Sequence, residues 1–188
     1  ALGNDAGFAF GLAQFSRLKE RWLRAVAKAF GQRYLMDFVV PGGTTCDVGA
    51  EKGAALAAVA ADLEIEARRI QSIFDEHAGV RDRFVGTGIV TPELAARLGL
   101  SGLAGRASGQ SLDLRVDLPS PPYDKLGVQK AGATAGDVAA RVSVRFAELF
   151  ESCRLVHSIV RLAPPGAHAD AMHPAAAGAT GIGFVEGW

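Results

Sequence analysis

Apolar residues recur at helical spacing along three long stretches of the chain, with glycine-rich or polar segments between them. In residues 5–30, Phe8, Leu12, Phe15, Trp22, Val26 and Phe30 fall at three- and four-residue steps or their sums. This predicts a helix with one buried face, and Gly31 is placed to end it. Residues 34–40 (YLMDFVV) read as a short strand stopped by Pro41-Gly42-Gly43. A second helix is predicted over 48–77, with Leu56, Val59, Leu63, Ile70 and Phe74 as its buried stripe and Asp47 as N-cap. A third is predicted over 135–162. There Val138, Val142, Leu149, Cys153, Val156 and Val160 follow near-heptad spacing, with Phe146 and Phe150 beside them. Thr134 and Asp137 form a capping-box-like start, and Pro164-Pro165-Gly166 a stop.

Residues 81–115 break the periodicity. They hold six glycines and five arginines around one predicted short helix, 92–98, which Thr91-Pro92 opens as cap and first turn. Glycine permits close backbone approach and positive φ, while arginine brings a fixed fork of donors. Such a segment shapes either a polar cleft or a contact between subunits, or else a solvated connector. Residues 112–128, with Pro119, Pro121 and Pro122, are expected to be extended and irregular. Residues 168–180 are rich in alanine and glycine and read as a mobile linker, and 182–188 as a strand. The pattern therefore predicts a mainly α bundle of three long helices, with a short helix and minor β strands.

Composition narrows this further. The chain has 188 residues, enough for one domain with a substantial core. Lysine plus arginine equals aspartate plus glutamate at 20 each, which argues against a general nucleic-acid or anionic-membrane binder. Cys46 and Cys153 lie far apart, and neither sits in a CxxC or a Cys/His cluster with metal-ligand spacing. A reduced, cytosolic setting is the simplest account of them. No apolar run reaches the roughly 18 residues a membrane span needs, and no signal peptide is expected. The absent initial methionine and the strand-like ending suggest a piece of a longer polypeptide.

Several motifs, in fixed order and spacing, carry a resemblance: GQRYLMDFVVPGG, RDRFVGTGIVTPELAARLGLSGLAGRASGQSLDLR, PPYDKL and GDVAARVSVRFAELFESCRLV. They resemble the large subunit shared by membrane-bound nickel-iron hydrogenases and the forty-nine-kilodalton subunit of respiratory complex I. The resemblance covers nearly all of residues 1–166, and the closing GIGFVEGW is similar to the start of the family's next strand. It implies a helical core over 1–166, a linker over 167–181 and a truncated strand over 182–188.

The resemblance implies no cofactor bound by this piece. In the full subunit it implies a nickel-iron centre held by two CxxC pairs, or a quinone contacted by a histidine and a tyrosine upstream of residue 1. In a partner subunit it implies an iron–sulfur cluster. The position after Tyr34, a histidine in the complex I type, is Leu35 here, which favours the hydrogenase branch of the formate-hydrogenlyase and hydrogenase-four kind. Complex I remains the alternative, and a non-catalytic helical interaction module the alternative of another class. The implied partners are a small iron–sulfur subunit and other members of a membrane-bound redox complex, on the cytoplasmic side as a peripheral subunit. No nucleic acid is implied, and the isolated helices are expected to self-associate through apolar faces.

The site candidates follow from the same motifs. Asp5 matches a carboxylate that would couple redox chemistry to proton movement if buried, or would simply be a helix-terminal charge. Arg83, Arg106 and Arg115 either face the iron–sulfur subunit or pair with Asp82, Asp113 or Asp117. Ser108 with Gly109 reads as a turn rather than a nucleophile. Gly86-Thr87-Gly88 is not a dinucleotide fingerprint. His77 and His157 read as helix-surface or core residues, and His168 and His173 as tail residues without a metal.

Overall fold

A computed structural model describes residues 2–163, 166–172 and 175–186. The expected stop at Pro164-Pro165, His173, and the last two positions of the 182–188 strand lie outside the described residues. The described elements are α1 (Leu2–Asp5), α2 (Ala9–Phe30), β1 (Val39–Val40), β2 (Gly43–Thr44), α3 (Gly49–Glu76), α4 (Ala78–Phe84), α5 (Pro92–Leu98), α6 (Gly102–Ala107), α7 (Leu114–Asp117), α8 (Tyr123–Leu126) and α9 (Val138–Leu162). The architecture is mainly helical, as the periodicity predicts.

Helix α3 is the middle of the bundle and packs against both α2 and α9. Its buried positions, Gly53, Leu56, Ala57, Ala60, Ala67 and Ile70, recur at three- and four-residue steps, and most are small. Small side chains bring the neighbouring helices close. A Cβ on Gly53 would stand 3.1 Å from Val160 of α9. Leu56 packs with Val26 and Ala29 of α2. Each fully buried Leu, Ile or Val stabilises the fold by about 1.5–3 kcal/mol. At the rim, Glu66 of α3 binds both Arg17 and Arg21 of α2, and Arg68 lies over the Phe150 ring at 4.0 Å.

A second core gathers at the other end. Phe8, Val80, Phe84, Val142 and Phe146 are buried together, with Phe74 and Phe150 against them. The predicted 5–30 helix is broken here. Gly7 takes φ 78°, and the chain turns Ala6 and Phe8 inward before α2 begins. Arg83 Nη1 donates to the Ala6 carbonyl that this break leaves free. Downstream of the break the buried face is Gly11, Leu18, Leu23, Val26 and Ala29, so Leu12 and Phe15 are partly exposed rather than core.

The 34–40 strand is mostly a turn. Gln32 Oε1 accepts from the amides of Tyr34 and Met36, and Leu35 and Asp37 hold positive φ of 55° and 58°. Only Val39–Val40 pairs, antiparallel, with Gly43–Thr44. Gly43 thus begins β2 instead of only ending β1. The tail then joins the hairpin. Thr44 N donates to the His168 carbonyl at 2.9 Å and Asp170 N to Gly42 at 2.9 Å.

Capping differs from expectation at two helices. The N-cap position of α3 is Val48, with no side-chain cap, so Asp47 does not serve. Helix α9 starts at Val138, and its cap is Asp137 itself, whose side chain accepts from Ala140 N. At α5 the reading from sequence and the structure coincide in the 92–98 span, with Thr91 capping Leu94 N and Pro92 first; the structure adds Gly99, which closes the helix with a left-handed backbone. Residues 112–128, expected to be irregular, contain the single turns α7 and α8. Residues 182–186 form no strand.

Candidate functional site

Three irregular backbone segments meet where the glycine-arginine stretch crosses the start of α9. The loop after α4 supplies residues 86–90, the end of α6 supplies 106–109, and the lead into α9 supplies 133–137. Val90 N donates to Gly136 O at 3.0 Å, Gly136 N to Ala107 O at 2.9 Å, and Gly109 N to Ala133 O at 2.8 Å. Ala133 N donates to Arg106 O at 2.8 Å, and Val138 N to Thr87 O at 3.0 Å. Asp137 ties the same junction with its side chain, accepting from Gly86 N at 2.8 Å and from Ala140 N at 2.7 Å. These five backbone bonds each pair a group on one segment with a group on another, as buried polar groups require partners.

The junction sets the position of Arg106. Its side chain is 7 % exposed, and its fork reaches Glu148 of α9 at 2.5 Å, the Leu112 carbonyl at 2.8 Å and Glu186 of the tail. Burial alone would lower the Arg106 pKa, but its hydrogen bonds to Glu186 and Glu148 raise it. Beside it Arg115 grips Asp113, with Nε to Oδ1 at 3.0 Å and Nη2 to Oδ2 at 2.8 Å. Asp113 also accepts from Arg115 N, capping α7. Burial pushes the Asp113 carboxyl up; the Arg115 guanidinium and amide outweigh it and hold the carboxyl below its usual range. Glu151 is held low by Arg154, against burial and with help from Gln129 N. Asp137 is pushed up by burial but brought below its usual value by the Gly86 and Ala140 amides.

These bonds give the ionic network a defined pH response. Asp113, Asp137 and Glu151 each have a folded pKa below the unfolded one. Their contribution is therefore complete above the unfolded carboxylate pKa, about 4, and is lost as pH falls through the lowered folded values. The thermal midpoint is expected to be flat near neutrality and to fall steadily below about pH 4. A midpoint that holds constant down to pH 2 in buffered calorimetry would show that these three carboxylates do not support the fold.

The sequence candidates take distinct places. Arg106 and Arg115 converge on one cluster, and both forks are engaged within the chain. Arg115 takes Asp113, one of the pairings considered from sequence, whereas Arg106 takes Glu148 and Glu186, which were not. Arg83 stands apart on α4, bonded to Ala6 rather than Asp82. Asp5 ends α1 and is exposed. Ser108 is fully buried at the end of α6, and its Oγ has no partner among the described residues. His77 caps α4 by accepting from Val80 N at 3.2 Å.

A groove of about 1010 Å³ opens beside the cluster, lined by Arg106, Arg115, Leu118, Tyr123, Leu149 and the tail at 182–186. A thiolate-held nickel-iron centre does not fit this chain's residues. Cys46 is in the loop before α3, Cys153 is buried on α9, and among the described residues no three His, Cys, Asp or Glu side chains gather as a metal site.

Comparison with known proteins places this mainly α core, with its loops stapled by buried arginine–carboxylate pairs, in a family. The model of the family "Respiratory-chain NADH dehydrogenase, 49 Kd subunit" matches residues 5–179. The chain belongs to that family. It is 31 % identical over 166 residues to the D-type NADH-quinone oxidoreductase subunit of Gluconacetobacter diazotrophicus, covering 88 % of this chain and 40 % of that protein. It is 28 % identical over 174 residues to the C/D-type NADH-quinone oxidoreductase subunit of Bacteroides thetaiotaomicron, covering 93 % and 33 %. The D-type F(420)H(2) dehydrogenase subunit of Methanosarcina mazei is 34 % identical over 99 residues, covering 53 % and 26 %. The chain thus spans about a third to two fifths of the length of the first two relatives.

A solved structure, that of the membrane-bound sulfane sulfur reductase, an archaeal respiratory membrane complex, shares the fold with a TM-score of 0.82 at 23 % identity. It covers 89 % of this chain and 46 % of that one. These matches favour the complex I branch over the hydrogenase branch that Leu35 suggested. Leu35 sits in the Gln32-held turn with left-handed backbone, so one side chain there is a weak guide to the branch.

Proposed function

We propose that this chain is the helical core of a quinone-linked oxidoreductase subunit of the forty-nine-kilodalton type. The family match over residues 5–179 carries the reading. The names of the relatives add to it. One is an NADH-quinone oxidoreductase subunit and another an F(420)H(2) dehydrogenase subunit. The electron donors in those names differ while the core is kept, so the core does not select the donor. Its work is to hold the acceptor side of the complex in place and to seat an iron–sulfur partner subunit.

The fold suits that work. The junction at Gly136 and the pairs around Arg106 fix the loops at one end of the bundle without using them for chemistry. No helix among the described residues is long and apolar enough to cross a membrane. In this reading the chain is a peripheral subunit on the cytoplasmic side of a membrane complex. In this reading Arg106 serves the interface by holding its loops, since its Nε and Nη1 are engaged within the chain. Asp5, exposed on α1, remains a proton-coupling candidate only where a neighbouring segment covers it. The hydrogenase reading and the non-catalytic module reading become outcomes of the test.

The test uses the whole protein, tagged in its native membranes. The expected result is recovery with a partner that shows an iron–sulfur signal in electron paramagnetic resonance, together with quinone-dependent turnover. Recovery with nickel and hydrogen-dependent activity would replace this reading by the hydrogenase one. Recovery alone, with neither signal, would leave the interaction module.

A further inference from the structure

Helices α2 and α9 both pack along α3 but scarcely along each other. The rings of Phe15 and Phe146, with centroids 5.9 Å apart, span the gap at one point. The three helices thus stand at three corners of a square, and the side facing the fourth corner is a trough of about 340 Å³. Leu18 and Trp22 line its α2 wall, Ala60 and Leu63 its α3 floor, and Leu149 and Val156 its α9 wall. Lys19 and Ser152, both exposed, are the polar lining residues, one on each wall. A contact between separately folded partners carries hydrogen bonds across it. A trough this apolar has instead the character of a domain interior. Yet Phe15 is 37 % exposed, and Trp22, Leu63, Leu149 and Val156 are only half-buried. Lys19 has no ion pair among the described residues, whereas Arg17 and Arg21 of the same helix share Glu66.

We propose that this trough seats a fourth helix, supplied by a further segment of the same subunit. The shared stretch is 40 % and 33 % of the two NADH-quinone oxidoreductase relatives and 46 % of the solved chain. More than half of each of those chains therefore lies beyond the shared core and is available to cover it. The helix that fits offers about two turns of apolar residues at three- and four-residue spacing to the trough, and an acidic side chain toward Lys19. Seated, it completes a four-helix bundle with α2, α3 and α9. The inference rests on the family match and the packing, and not on which acceptor the subunit serves.

The test uses the whole subunit in its native membranes, with the photo-reactive residue p-benzoylphenylalanine in place of Lys19 or, separately, of Ser152. Both positions are exposed, so neither replacement removes a core side chain. After illumination, the cross-linked peptides are identified by mass spectrometry. No turnover is read, so the outcome is independent of the quinone-linked function. Both walls are expected to trap one and the same peptide, from outside residues 1–188 of the same polypeptide. The residues trapped should fall at helical spacing, with an aspartate or glutamate within one turn of the residue trapped from position 19. Capture of a different subunit, of residues 1–188 in a second copy or of lipid alone would overturn the fourth helix. So would unrelated peptides from the two walls, or no cross-link from either.

Discussion

Gly136→Ala is expected to be among the most damaging single-methyl additions this chain can receive. Gly136 takes φ 65°, and a Cβ there would stand 1.9 Å from the Val90 carbonyl oxygen. That oxygen belongs to backbone, so no side-chain rotation relieves the contact. Moving the backbone instead breaks the bonds from Val90 N to Gly136 O and from Gly136 N to Ala107 O. It also shifts Asp137, which caps α9 and holds Gly86. A left-handed backbone at a non-glycine residue costs about 1–3 kcal/mol, and a forced shift in packed surroundings about 1–3 more. The expected loss is thus about 2–6 kcal/mol, a large part of a domain's usual 5–15. Gly99→Ala is the control. Gly99 has φ 61° with nothing within 4 Å of its would-be Cβ, so it should carry the strain without the collision. Urea midpoints that are equal for the two variants would remove the close approach as the cause.

The same contrast explains what could be read from residue order. A helix announces itself where local chemistry decides it. At α5 the cap, the proline and the closing glycine are all within nine residues, and the helix was legible to the residue. The long helices were legible from apolar spacing, because α2, α3 and α9 each need a buried side. Their fine structure was not. The break before α2 depends on Gly7 and on a carbonyl that Arg83 reaches from 77 positions away. The expected strand at 34–40 lost to one side-chain oxygen, that of Gln32, which captured two amides the strand would have used. The short helices α4, α6, α7 and α8 escaped notice because each is one or two turns long, below the length at which periodicity speaks.

The candidate cluster shows the same division. Asp113 and Arg115, two apart, were nameable as a pair. Glu148 and Glu186, 42 and 80 positions from Arg106, were not. Motif order identified the family where spacing alone identified only a bundle. A single position inside those motifs, Leu35, misdirected the choice of branch, since a residue in a turn answers first to the turn.

Arg106→Ala is expected to destabilise the chain by about 3–5 kcal/mol, the usual cost of leaving a buried charge without its partner. The side chains of Arg106 and Glu148 are 7 % and 15 % exposed, so water cannot readily replace the guanidinium. Removal strands two carboxylates and the Leu112 carbonyl together. Arg106→Met restores volume but leaves the same acceptors unpaired, and should recover little. Combining Arg106→Met with Glu148→Gln and Glu186→Gln removes the stranded charges and should recover most of the loss, because a buried ion pair exchanged whole for neutral groups is close to balanced. Arg115→Ala should cost less, since the Arg115 amide still bonds Asp113 and the Arg115 side chain is itself 24 % exposed. This ordering also governs how partner binding is to be read. If Arg106→Ala failed to bind the partner proposed above while unfolding at far lower urea, the loss would follow from the collapsed scaffold. If the variant stayed within about 1 kcal/mol of wild type, the buried network would carry less than its geometry requires, and a direct interface role for Arg106 would return.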